Sequence, residues 1–153
     1  MPGHAPTNTN AELTEPWREL WNGDLSLADT IIDEDFVAHA APLTGFGADE
    51  THGREALQQW VAGIHQVLLD LTFSLDVGPI TDQDYLVVRW TAQGTYAGGL
   101  SGASAAAVGN LITFSGTDTL RVKDGMLVEY WANADSLLFV QQLGVKEVPG
   151  ASV

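Results

Sequence analysis

Residues 116–144, GTDTLRVKDGMLVEYWANADSLLFVQQLG, restrict the possible folds more than any other stretch of the chain. Two apolar-rich runs flank Lys123-Asp124-Gly125, the pattern of a β-hairpin closed by a tight turn. Large and β-branched residues continue from Met126 to Trp131, and an apolar helical run follows Asp135. The stretch reads as strand, turn, strand and closing helix. Asp135 either caps that helix or projects into whatever cavity the strand lines.

The chain leading up to this stretch divides into a helical half and a strand half. Residues 1–11 are rich in Pro, Thr and Asn and are expected to be a disordered lead-in to a single domain over 12–146, with 147–153 as a tail. Thr14-Glu15-Pro16 offers an N-cap followed by proline in the first turn. Trp17, Leu20 and Trp21 follow at helical spacing as far as Gly23, and a second short helix spans 25–32. Residues 35–41 form an extended segment with His39 near its end, and the glycine-rich 42–51 run suits a pocket rim. The strongest helix covers 53–69, where Leu57, Trp60, Val61, Ile64 and Leu68 repeat on one face. His65 sits on the flank of that stripe and is expected in solvent.

Strands are then expected over 71–77, 85–95, 108–122 and 126–133, with Gly78-Pro79 and Asp124-Gly125 as turn signals. The small-residue run 97–109 is either a mobile flap or a plain connection between long strands. Helices followed by strands and a last helix indicate an α+β fold. A curved antiparallel sheet wraps the N-terminal helices and leaves a cavity, with Gly94, Gly109 and Gly116 available where strands bend.

Composition narrows the function. The 153 residues, 45% hydrophobic, suit one compact domain. A formal charge of −14 repels phosphate backbones and anionic lipid, so neither nucleic acid nor membrane is expected as a partner. Absence of cysteine removes disulfides, thiol catalysis and thiolate-bound metal. MPGHAPTNTN lacks the features of a signal peptide and no apolar run reaches spanning length, which makes a cytoplasmic protein the expectation.

Four polar residues stand out at apolar positions. His39 is either a core histidine with a satisfied ring or a proton-transfer group. Arg89, inside LVVRWT, is either buried against a carboxylate or anion, or points outward to solvent or a subunit interface. Asp118 shares a strand face with Phe114, Leu120 and Val122 by period-two alternation, where desolvation raises a carboxyl pKa into the range of acid–base work. Asn133 and Trp131 alternate with Asp135 along one face if no bulge intervenes. The four histidines are too scattered for a metal signature, and neither a phosphate-binding glycine loop nor a GxSxG elbow is present.

Several short motifs in this order resemble the SnoaL-like polyketide cyclases, within the nuclear transport factor 2-like (ketosteroid-isomerase-like) cone fold. They are Leu20-Trp21-Asn22-Gly23-Asp24, Asp35-Phe36-Val37-Ala38-His39, Gly53-Arg54-Glu55-Ala56-Leu57, Arg89 with Gly94-Thr95, and 117–135 with Gln142-Leu143-Gly144. The resemblance covers roughly 13–145. It implies a conical fold with a deep apolar pocket, no cofactor, a hydrophobic carbonyl-bearing ligand such as a polyketide, and pairing into a homodimer. Asp135 matches the acid–base aspartate of the cyclases, and His39 falls where ketosteroid isomerases carry their aspartate base. Asp118 matches the aspartic acid with which those isomerases stabilise an enolate. Arg89 resembles the arginine of limonene-type epoxide hydrolases, although Thr91 stands where those enzymes place an aspartate.

Two roles follow. The first is a cofactor-independent cyclase or isomerase using Asp135, His39, Asp118 and Arg89, with Trp17, Trp21, Trp60, Phe114, Trp131 and Asn133 around the substrate. The second is a pocket that binds an apolar ligand without turning it over, in which Trp90 joins the tryptophan lining. An epoxide-hydrolase-like reaction and a purely assembling role are the remaining alternatives.

Overall fold

The computed structural model describes residues 9–40, 43 and 50–146. Thr9–Leu13 form a 3-10 turn that runs directly into α1 (Thr14–Trp21). A second 3-10 turn (Leu25–Leu27) precedes α2 (Ala28–Ile31), followed by β1 (Ile32–His39). The rest is β2 (Glu50–His52), α3 (Gly53–Val67), β3 (Leu68–Asp82), β4 (Tyr85–Tyr96), β5 (Leu111–Lys123), β6 (Met126–Ala134) and α4 (Ser136–Gln142). The strands make one curved, unclosed sheet in the order β2-β1-β6-β5-β4-β3. β1 and β6 run parallel and every other neighbouring pair is antiparallel, so the α+β sheet is mixed rather than wholly antiparallel.

Period-two alternation sets the core. Along β4, Leu86, Val88, Trp90, Ala92 and Tyr96 are buried, and along β5 Ile112, Phe114, Asp118, Leu120 and Val122 are buried. Trp17, Leu20 and Trp21 of α1 and Leu57 and Val61 of α3 close over that face. Each such large side chain contributes roughly 1.5–3 kcal/mol on leaving water. Among the described residues no helix is long and apolar enough to cross a membrane.

Several local expectations change. Thr14 is not a cap: Leu13 occupies that position without a side-chain bond, and Thr14 is buried in the first turn. Gly78-Pro79 is not a turn but lies inside β3, where the register with β4 breaks between Val77 and Ile80. Proline is tolerated there because β3 is the sheet's outer strand. The β3–β4 turn instead centres on Gln83, at φ 53°. β2 escapes sequence reading because three residues carry too little periodicity. His65 is half-buried rather than in solvent, its Nε2 donating to the Trp21 carbonyl at 2.8 Å and tying α3 to the end of α1. The 97–109 run is a connection fastened by Ala97 N–H to the Val67 carbonyl and Ser104 N–H to the Leu143 carbonyl, both 2.8 Å. The lead-in before residue 9, the tail after 146 and most of the glycine-rich 42–51 run lie outside the described residues.

A bulge decides which face of β6 looks inward. Arg121 pairs with Glu129 but Val122 pairs with Leu127, so β6 carries one extra residue there. Parity flips after Leu127, and Tyr130 rather than Trp131 points into the core.

Gly94 and Gly116 serve close packing. A Cβ on Gly94 would lie 3.0 Å from the Leu68 Cβ. One on Gly116 would press into the Trp90 ring and stand 2.6 Å from the Asn133 carbonyl. Gly116→Ala is therefore expected to cost about 1–3 kcal/mol. Urea unfolding would check this, with a near-UV circular dichroism change expected as Trp90 is displaced. An unchanged midpoint would show that the neighbours yield freely.

Candidate active site

Asp118 is the centre of the site. It is 4% exposed, on the inner face of β5, and three elements aim donors at its carboxyl. Trp17 of α1 donates from Nε1 to Oδ2 at 3.0 Å. Trp90 of β4 donates from Nε1 to Oδ1 at 2.9 Å, and the Tyr130 hydroxyl of β6 donates to the same oxygen at 2.8 Å. Trp90 pairs across the sheet with Gly116, and the missing side chain there is what lets the indole lie flat enough to reach two residues along β5.

Burial and hydrogen bonding pull this carboxyl in opposite directions. Desolvation disfavours the charge, while the Trp17, Trp90 and Tyr130 donors favour it. Burial wins, and the pKa is pushed up to about 6. None of the ion pairs among the described residues involves Asp118. Oδ1 accepts two hydrogen bonds and Oδ2 only one, so the acidic proton belongs on the remaining lone pair of Oδ2. The Tyr130 phenol is held well above its usual range by its burial and by the neighbouring Asp118. It donates but does not titrate near neutrality.

Asp118 forms part of the wall of a cavity of about 190 Å³. Trp21, Trp60 and Ile64 enter from the helices; Phe73, Trp90 and Phe114 from β3, β4 and β5. Tyr130, Ala132, Asn133, Ala134 and Ser136 come from β6 and the start of α4, and Ala40 and Leu43 from the segment after β1. Among the described residues, Asp118 and Tyr130 are the only titratable groups on that wall. Among the described residues, no three His, Asp or Glu side chains converge as a metal site would require.

The expected site residues divide sharply. Trp21, Trp60, Phe114, Asn133 and Asp118 border the cavity, Asn133 while still exposed to solvent. Trp17 does not border it but holds the carboxyl. His39 and Trp131 do not border it either, because both lie on the outer face, where their rings stack 5.4 Å apart. His39 Nε2 is 2.7 Å from Glu129 Oε2, and Arg121 Nε is 2.9 Å from Oε1 of the same residue. Those two partners hold the Glu129 carboxyl below its usual range, with His39 the larger influence. Arg89 is exposed on the outer face of β4, the outward alternative. Asp135 is exposed, makes no side-chain cap bond, and lies between the cavity residues Ala134 and Ser136 without bordering the cavity itself. Asp135 therefore stands at the N-cap position of α4, as the first alternative has it, but its carboxylate neither makes the cap bond nor borders the cavity. Phe73 and Tyr130 were not legible as site residues: Phe73 sits on a strand whose register shifts, and Tyr130 follows the bulge.

The elevated pKa has a measurable consequence. The folded carboxyl keeps its proton to about pH 6, whereas the unfolded one releases it near 3.8. The folded state binds more protons in that window, so stability falls as pH rises from about 4 to about 6, by ~3 kcal/mol at most. Asp118→Asn should remove this slope. The amide sets an N–H group against one of the three donors, so the variant starts out weaker at pH 4 and the slope alone is the readout. Urea unfolding across pH 4–7 checks it, and parallel curves for the two proteins would contradict the assignment.

The sequence pattern of the SnoaL-like polyketide cyclases matches residues 11–143. Among curated proteins none matches the chain. Of solved structures, IdmH of Streptomyces antibioticus, a proposed polyketide cyclase, is 25% identical over 90% of this chain and 100% of its own, with a TM-score of 0.73. TsrD of Streptomyces laurentii is 21% identical over 93% and 99% of the two chains, at a TM-score of 0.75. A protein of ketosteroid isomerase-like fold from Catenulispora acidiphila, solved with trimethylamine, is 16% identical over 88% and 93%, at 0.68. The last two likenesses show the fold alone. With the family pattern spanning α1 through α4, this chain belongs to the SnoaL-like polyketide cyclase family.

Proposed function

We propose that the cavity is the active site of a cyclase- or isomerase-type enzyme in which Asp118 exchanges a proton with an apolar carbonyl compound. One observation carries this: among the described residues, a buried carboxyl with a pKa of about 6 is the only group on the cavity wall that changes charge near neutrality. As the carboxylate, its Oδ2 removes a proton α to the carbonyl, and the C–H electron pair moves onto the carbonyl oxygen as an enolate. The proton then rests on Oδ2. In an isomerisation it returns to a different carbon. In a cyclisation the enolate carbon attacks a second carbonyl of the same molecule, and Oδ2 protonates the resulting alkoxide. Trp17, Trp90 and Tyr130 hold the carboxyl through both states and are positioning residues. The apolar wall excludes water and keeps the carboxyl basic enough for the task. Membership of a family named for polyketide cyclases supports the same reaction class.

A second reading has its own support. Three of the acceptor positions on the carboxyl are occupied by donors of the protein, so Asp118 also pins α1 to the sheet. A pocket built on that pin binds an apolar ligand without turnover.

Deuterium exchange at the α-carbon of an apolar ketone such as 2-tetralone, followed by proton NMR in D2O, separates the two. The enzyme reading predicts exchange above the buffer rate, rising with pH through about 6 as Asp118 ionises. Asp118→Asn should reduce it by roughly 10²-fold or more. Asp135→Asn, His39→Ala and Arg89→Ala should retain it. Exchange that survives Asp118→Asn, or that Asp135→Asn abolishes, would sink the assignment; binding without exchange in wild type would favour the second reading.

A further inference from the structure

We propose that the substrate extends past the Asp118 cavity, with an elongated, uncharged apolar portion seated in a second cavity beside α3. This rests on the Asp118 reading above and specifies the shape of ligand it needs. The second cavity measures about 290 Å³, against about 190 Å³ for the first. The two share Leu43, Trp60 and Ile64 as common wall. Their deeper walls also meet, since Phe114 of the first and Phe139 of the second pack edge to face at 5.0 Å. A molecule with its carbonyl at Asp118 therefore reaches the second space by crossing Trp60 and Ile64 and leaving no polar group behind.

The chemistry of the second wall fixes the class of occupant. It is made by Val67, Gly63 and Gln59 of α3, Leu100 of the β4–β5 connection and the shared residues. Among the described residues of that wall, Gln59 carries the only polar side chain apart from the Trp60 indole, and none is charged. A carboxylate or phosphate seated there would be desolvated without a partner, in a chain whose net charge is already −14. A fused ring system or alkyl chain loses nothing and gains about fourfold in affinity per buried methylene. The β4–β5 connection is held where its Leu100 can serve, through Leu100 N–H to the Tyr96 hydroxyl at 3.0 Å.

Gly63 supplies the test. It lies mid-helix in α3, and a Cβ there would touch nothing within 4 Å. Gly63→Leu fills the second cavity with a good helix former. The probes are 6-acetyl- and 6-hexanoyl-2-dimethylaminonaphthalene, which share one carbonyl head and differ only in tail length. Fluorescence titration should show the hexanoyl probe binding wild type about tenfold or more tightly than the acetyl probe. In Gly63→Leu that ratio should fall to about one. A wild-type ratio near one overturns the proposal, as does a high ratio that Gly63→Leu leaves intact. Nuclear Overhauser contacts from the terminal methyl of the hexanoyl chain to Val67 and Leu100 test the same placement in wild type, independent of any variant. Their absence in a saturated complex also overturns it. If the acetyl probe fails to bind while the hexanoyl probe binds and Gly63→Leu removes that binding, the second cavity stands and the Asp118 reading falls.

Discussion

The withdrawal of one carboxyl from water governs this structure. Asp118 sits at 4% exposure with two indole N–H groups and one phenol as its hydrogen-bond donors among the described residues. An unpaired buried charge costs several kcal/mol, and neutral donors offset only part of that. The result is a carboxyl that holds its proton to about pH 6. Its position couples three elements: α1 through Trp17, β4 through Trp90 and β6 through Tyr130. The same contacts that fix the helix on the sheet therefore fix the one titratable group that, among the described residues, changes charge near neutrality on the cavity wall. Stability and chemistry cannot be separated at this residue.

The outer face of the sheet follows the opposite rule. His39, Glu129 and Arg121 satisfy one another there, partly exposed, and Trp131 stacks on the imidazole. Such groups retain solvent and a local partner on the face away from the cavity, out of reach of a ligand held beside Asp118. The histidine in apolar surroundings by sequence thus belongs to a surface cluster, and Arg89 stands exposed on the outer face of β4. Among the described residues the interior keeps one acid, Asp118, and a lining mostly of aromatic and aliphatic side chains.

Much of the scaffold was legible because it is local. The Asp124-Gly125 turn, the Leu57–Ile64 stripe of α3 and the alternation along β4 and β5 all depend on residues close in sequence. Asp118 was placed correctly by counting in twos from Phe114, since β5 is regular between them. β6 defeats that counting: the extra residue opposite Val122 sends Tyr130 inward and Trp131 outward, and nothing in MLVEYW marks it. Arg89 was ambiguous because Val87 and Val88 are both apolar, and only the open outer face tells which side is wet. Asp135 required the direction of the chain as it leaves β6, a property of tertiary structure. Trp17, expected against the substrate, is instead committed to the carboxyl by a partner 101 residues away.

Carboxyl carbon NMR of Asp118 across pH 3–8, assigned by loss of the signal in Asp118→Asn, addresses the central claim most directly. A desolvated carboxyl beneath three neutral donors should titrate near pH 6. Titration at or below about 3.9, the value of an unperturbed aspartate, would mean the hydrogen bonds outweigh burial. Asp118 would then be a permanently charged structural pin, and the cavity above it a binding site rather than a catalytic one.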